Sequence, residues 1–343
     1  MPQKQQRSPK VDQIKIKQPP VLFNKTQNII REIQDLLGAP FLAYWNSPKG
    51  SVCDNDVVAF YELLETIGKQ KKIYLFIKSD GGDGEASLRI MNLVRQYCKK
   101  VIALVPLECA SAATMMAIGS NEIKMGPMAH LSAVDTSLTH ELSPIDTRNN
   151  RKVGVSLDEL DRVIRLWNNQ NSDNSINPYN ELYQYVHPLV IGAIDRADSL
   201  SVMLCEELLS YHMSDRQKIK SIADALNSKY PSHSYPILIR EAVRIGLNVS
   251  AMDKRANSLL LELNELYSEM GQRATTDFDE IKSHSNEIIN ILEAGGLQVY
   301  FQNDKDWFYR AEERRWITMN DNSNWRKIEK IAGKMKKSIF HIN

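Results

Sequence analysis

The sequence predicts an α/β fold built on a mainly parallel sheet, and three observations carry that expectation. Ile73 to Ile77 is a continuous apolar run, as a strand buried on both faces requires. Val101 to Val105 is a second such run. From Phe41 onward, apolar runs alternate with stretches of helical spacing in the order strand, helix, strand, helix, strand, helix. That alternation calls for right-handed crossovers between parallel strands.

The elements follow in order. Residues 1–22 are rich in Lys, Gln and Pro and are expected to form a flexible tail. A helix is predicted from Thr26 to Leu37, then a strand from Phe41 to Trp45. Asp54 or Asn55 caps a helix carrying Phe60, Leu63, Leu64 and Ile67 at helical spacing. Ile90, Leu93, Val94 and Tyr97 mark the helix between the two apolar runs. Short strands are expected at Ile123 to Met125 and Ala129 to Val134, and a polar loop from Thr136 to Val153. Helices are predicted from Ser156 to Asn168, Pro178 to Leu209, Asp215 to Ser228 and Ile237 to Ile245. Past Ser250 the character changes. Helices are expected from Asp253 to Met270 and Ile281 to Glu293, then aromatic strand-like pieces and a basic terminal helix from Arg326 to Lys337. The expected division is a tail (1–22), a main domain (23–250) and a small α+β accessory domain (251–343).

Composition narrows the function classes. The 343 residues are 43% hydrophobic and 25% charged with a formal net charge of +1, which gives no reason to expect nucleic-acid binding. The four cysteines, Cys53, Cys98, Cys109 and Cys205, are scattered and form no CxxC pair, so neither a zinc site nor a disulfide framework is expected. No metal or organic cofactor is expected. The polar N-terminus lacks an apolar signal core, and the apolar window Val101 to Gly119 is interrupted by Pro106 and Glu108. No membrane span is expected, and reduced cysteines fit a cytoplasmic protein.

Two turns of small residues end successive predicted strands, the edge at which open α/β sheets bind ligands. The first is Ser79-Asp80-Gly81-Gly82-Asp83-Gly84, where glycine lets backbone N–H groups approach a ligand. The second, Cys109-Ala110-Ser111-Ala112-Ala113, puts a serine at the start of a helix among tiny neighbours. Exposure, close backbone approach and nearby N–H donors are what a serine nucleophile needs, and the N–H groups of Gly81 or Gly82 and of Ala112 would hold an oxyanion. Taken singly, a Gly-Gly turn and an N-cap serine are common structural devices; the pairing of the two turns points to chemistry.

These turns, with Glu122-Ile123-Lys124-Met125-Gly126-Pro127, Val186-His187-Pro188-Leu189, His233-Ser234-Tyr235-Pro236-Ile237 and Gly246-Leu247-Asn248-Val249, resemble the Clp-protease/crotonase superfamily, within it the serine dehydrogenase proteinase family, relatives of signal peptide peptidase A. The resemblance covers about residues 40 to 250. It implies a ββα-repeat spiral, a Ser111 nucleophile, a Gly81/Gly82 oxyanion turn, a protein or peptide substrate and a homo-oligomer. Two positions depart from the family pattern: Asp80 replaces a proline before the glycines, which would place a buried charge beside the oxyanion, and Asn248 replaces an aspartate.

For the general base, relatives use a Ser-Lys dyad or a Ser-His-Asp triad. Lys152 stands at a dyad-like distance, though a lysine in a polar loop also reads as merely solvated. His130, His187 and His233 are alternative bases, and Asp135 would orient one or simply cap a turn. The leading expectation is a serine peptidase. The alternatives are a crotonase-type acyl-CoA enzyme and an inactive binding or assembly protein of the same fold.

Overall fold

The computed structural model describes residues 14–148, 151–170, 177–331 and 334–342. Residues 1–13 of the expected tail lie outside them. In the remainder of that segment, Lys17 N–H donates to Thr276 Oγ1 at 2.9 Å.

The first half alternates as expected: α1 (Phe23–Leu37), β1 (Phe41–Asn46), α2 (Asp54–Ile67), β2 (Gln70–Lys78), α3 (Gly84–Tyr97), β3 (Cys98–Val105), β4 (Glu108–Cys109), α4 (Ala112–Ile118), β5 (Glu122–Met125) and β6 (His130–Leu131). The expected polar loop carries β7 (Ser137–Leu138), β8 (Ile145–Asp146) and β9 (Arg151–Lys152), followed by β10 (Val155–Ser156) and α5 (Leu157–Gln170). The helix expected from Pro178 to Leu209 is two, α6 (Pro178–Leu182) and α7 (Pro188–Ser210). Pro188 has no N–H to continue a helix and disfavours helical geometry at His187, which becomes the N-cap of α7 instead. Next come α8 (Arg216–Ser228), α9 (Ile239–Arg244), β11 (Val249–Ala251) and α10 (Lys254–Met270), then β12 (Thr275–Asp277), β13 (Lys282–Ala294), β14 (Leu297–Arg310), β15 (Arg315–Asp321), β16 (Asn324–Ile331) and β17 (Lys334–Ile339).

The helix expected over Ile281 to Glu293 is therefore strand β13. A register shift between Ile288 and Asn290 breaks its period-2 pattern, leaving Ile288, Ile291 and Leu292 at a spacing that imitates a helix. The basic terminal helix is likewise a hairpin of β16 and β17, with Trp325 and Ile328 turned inward and lysines along the outer edge.

One sheet runs β11-β5-β3-β2-β1-β13-β14-β16-β17. Its β11 to β1 portion is parallel, and β13 joins β1 antiparallel, with Leu42 opposite Ala294 and Asn46 opposite Asn290. The sheet thus continues across the boundary expected at residue 250. Alternate side chains divide the core in two. Leu42, Tyr44, Ile73, Leu75, Val101 and Ala103 pack on the α2, α3, α4, α7 and α8 side. Phe41, Ala43, Trp45, Tyr74, Phe76 and Ile102 pack against α1 and α10. Burial on both faces is why β1, β2 and β3 read as unbroken apolar runs.

Candidate active site

The carboxyl ends of β1, β2 and β3 converge on one set of turns. Ser79 N–H donates to Glu108 O at 3.1 Å and Ala110 N–H donates to Ser79 O at 2.9 Å, which stitches the glycine turn to the serine turn. Gly81 and Gly82 have φ of 108° and 145°, values that side-chain-bearing residues rarely adopt. Space is equally short: a Cβ on Gly81 would lie 2.6 Å from Ser111 Cβ, and one on Gly82 would lie 2.4 Å from Val52 O.

Ser111 itself has φ 52° and ψ −122°. Apart from glycines, Ser111 and Arg314 are the positive-φ residues among those described. Such a conformation costs on the order of 1–3 kcal/mol and persists only where the surroundings impose it. Here they do. Ser111 N–H donates to Ser132 Oγ at 2.7 Å, Ser132 N–H donates to Thr114 Oγ1 at 3.1 Å, and Thr114 Oγ1 donates to Cys109 O at 2.7 Å. Although Ser111 occupies the N-cap position of α4, its side chain makes no capping bond. Its hydroxyl is left free, which separates this serine from an ordinary cap. The N–H groups of Gly82 and Ala112 have no hydrogen-bond partner among the described residues. Gly81 differs, because its N–H donates to Ser79 Oγ at 3.1 Å.

Ser111, Gly82 and Ala112 line a cavity of about 430 Å³ together with Asp135 and His233. Met115, Leu138, Leu200 and Leu204 supply its apolar wall. Asp135 lies three residues past Ser132, and the segment between them is pinned where Val134 N–H donates to Leu226 O at 3.0 Å. His233 sits in the α8–α9 connection, held where Leu131 and Ile237 exchange two backbone hydrogen bonds and where Tyr230 and Tyr235 stack at 4.8 Å. His233 Nδ1 stands 3.0 Å from Asp135 Oδ1. An ionised carboxylate only accepts, so Nδ1 carries the proton and Nε2 presents its lone pair. The hydrogen bond to Asp135 raises the pKa of His233 above its ordinary value, against the opposing effect of burial.

The other candidate bases lie elsewhere. Lys152 is an exposed residue of the β8–β9 hairpin and does not line the cavity. His130 pairs with Glu108 in the β4–β6 bridge. His187 caps α7, its Nδ1 accepting from Leu189 N–H at 3.2 Å. Asp80 is exposed, so the buried charge expected beside the glycines does not arise. Asn248 donates from Nδ2 to Asn121 O at 2.7 Å and serves the β5 edge. Sequence reasoning passed over Lys78, whose buried ammonium pairs with Glu108 at 2.8 Å and donates to Asn46 O at 2.9 Å. Burial pushes the Glu108 carboxyl up, but the bond and charge of Lys78, a backbone bond and the charge of His130 together outweigh it and hold the pKa below its ordinary value. Ser132 was also missed, since an isolated serine beyond a short strand carries no signal.

Residues 42–137, which contain both turns and Asp135, match the Clp protease family model. That segment of the chain is thus similar to a Clp protease domain. An uncharacterized protein of Methanocaldococcus jannaschii is 24% identical over 211 residues, 61% of this chain and 64% of that protein, so the match spans less than two thirds of the relative. Among solved structures, the 1510-N membrane-bound stomatin-specific protease is similar at 17% identity and TM-score 0.37, over 69% of this chain and 88% of that one. ClpP1 from Listeria monocytogenes is similar at 11% identity and TM-score 0.33, over 69% of this chain and 99% of that one. No helix among the described residues is long and apolar enough to cross a membrane.

Proposed function

We propose that the chain is a serine peptidase in which Ser111 is the nucleophile, His233 the general base and Asp135 the residue that orients it. The observation that carries this reading is the strained, uncapped Ser111 in one cavity with the His233–Asp135 pair. Ser111 Oγ attacks the peptide carbonyl carbon while His233 Nε2 takes the hydroxyl proton. The carbonyl oxygen becomes an oxyanion that accepts from the Gly82 and Ala112 N–H groups. Collapse breaks the C–N bond, and the departing amine takes the proton from His233. Water then attacks the acyl-serine, its proton passing to His233; the C–Oγ bond breaks, Ser111 Oγ takes that proton back from His233, and the acid product leaves. Gly81 serves this scheme by close approach, because its own N–H is already engaged.

The resemblance to serine dehydrogenase proteinases suggests protein substrates and a homo-oligomer. Tyr185 in the α6–α7 connection and Leu189 in the first turn of α7, 76% and 63% exposed, support an assembly surface there. Four free cysteines support a cytoplasmic setting. The deciding experiment is casein hydrolysis together with fluorophosphonate labelling, comparing wild type with Ser111→Ala at matched oligomeric state. Cleavage and labelling that both vanish in the variant establish the reading; equal activity overturns it.

A further inference from the structure

We infer that Asp56 of α2 and Asn290 of β13 are positioning residues that aim the Gly82 N–H into the cavity, an inference that rests on the peptidase reading above. Both lie outside the cavity lining, and both are buried.

Their effect travels through the loop from Ser47 to Cys53. Asn290 Nδ2 donates to Ser51 O at 2.9 Å and to Asp56 Oδ1 at 3.0 Å. Asp56 Oδ2 accepts from Cys53 N–H at 2.8 Å and from the Tyr44 hydroxyl at 2.6 Å. Ser47 N–H donates to Ile289 O at 2.8 Å, and a Cβ on Gly50 would lie 2.2 Å from Ile289 O, so the loop lies flat on β13. Two side chains and one strand thus hold the loop from below.

The loop in turn grips the glycine turn. Val52 N–H donates to Gly81 O at 2.8 Å, and Asp83 N–H donates to Val52 O at 2.9 Å. The peptide joining Gly81 to Gly82 is planar and trans, so its C=O and N–H point in opposite directions. Fixing Gly81 O on Val52 therefore turns the Gly82 N–H away from the loop. Glycine on both sides of this peptide removes the side-chain barrier that would otherwise resist its rotation. The grip of Val52 replaces that barrier, and Asp56 with Asn290 keeps Val52 in place.

The test measures casein hydrolysis and fluorophosphonate labelling of Ser111 in wild type, Asn290→Ala, Tyr44→Phe and Thr26→Val. Thr26 bonds Glu293, on the same strand β13 but in a separate network away from the loop, and so controls for general destabilisation. Asn290→Ala is expected to lower kcat about 10- to 100-fold with KM changed less than about 2-fold, because a misdirected oxyanion donor acts in the transition state alone. Tyr44→Phe, which removes one bond to Asp56, should show the same pattern at smaller size. Thr26→Val should lower the melting temperature without lowering kcat. Unchanged kcat in Asn290→Ala, or an equal loss of kcat in Thr26→Val at equal melting temperature, overturns the inference while leaving the peptidase reading standing. Wild type that neither cleaves nor labels overturns both.

Discussion

His233 Nδ1 and Asp135 Oδ1 lie 3.0 Å apart although 98 positions separate them in the chain, and both residues line the cavity that holds Ser111. The pair is what favours His233 over Lys152 as the proposed base. His233→Ala should lower kcat/KM for casein by about 10²–10⁴-fold. Lys152→Ala should leave it within about 2-fold, as expected of an exposed hairpin residue. The opposite ranking in the same assay would return the role to Lys152.

The pH profile follows from the same pair. The bond to Asp135 raises the pKa of His233, and the histidine must be neutral to accept the Ser111 proton. Activity should therefore rise with pH, with a midpoint above the ordinary histidine value of about 6.5. Asp135→Asn should lower kcat and move that midpoint to lower pH. For stability the sign is reversed: the His233 contribution is present in full at low pH and is lost as pH rises through the raised pKa. A kcat profile that is flat from pH 5 to 9 would exclude His233 as the base.

Gly81 tests the close approach. Alanine there would bring its Cβ to 2.6 Å from Ser111 Cβ at a φ of 108°. Gly81→Ala should cost about 1–3 kcal/mol of stability and remove fluorophosphonate labelling of Ser111. Denaturant titration and labelling on one preparation check both effects.

Glu293 gives a stability prediction independent of catalysis. Burial pushes its carboxyl up from 4.5 to about 7, with bonds from Thr26, Gln27, Gln298 and Tyr267 pulling the other way. The folded chain therefore keeps a proton that the unfolded chain releases. This stabilisation is complete below about pH 4.5 and lost as pH rises through about 7, with a total on the order of 3 kcal/mol. Asp56, raised from 3.8 to about 6 chiefly by burial, acts in the same direction. Glu293→Gln should make the fall in melting temperature between pH 4.5 and 7.5 shallower without abolishing it. Circular dichroism melts across that range measure the slope.

Much of this was legible in the chain itself. The runs Ile73–Ile77 and Val101–Val105 announced doubly buried strands, because burial on both faces removes alternation. The paired turns at Gly81-Gly82 and Ser111 were legible because close approach tolerates only the smallest residues. Strand β13 was not, since its register shift at Ile288–Asn290 gives a helix-like spacing. His233 and Asp135 are legible only as separate candidates, because nothing local in the sequence says which loops meet. Lys152 stands out by its separation along the chain, whereas the structure places it in an exposed hairpin outside the cavity lining.

The partnership of β1 with β13 also bears on the order of events during synthesis. β1 ends at residue 46, yet its antiparallel neighbour is complete only at residue 294. At translation speeds of roughly 5–20 residues per second, that gap lasts on the order of 10–50 s. For most of it, the segment bearing Ser111 has been made while the strand that supports the Ser47–Cys53 loop has not. On the proposed peptidase reading, the growing polypeptide would carry its nucleophile unarmed until its last third arrives.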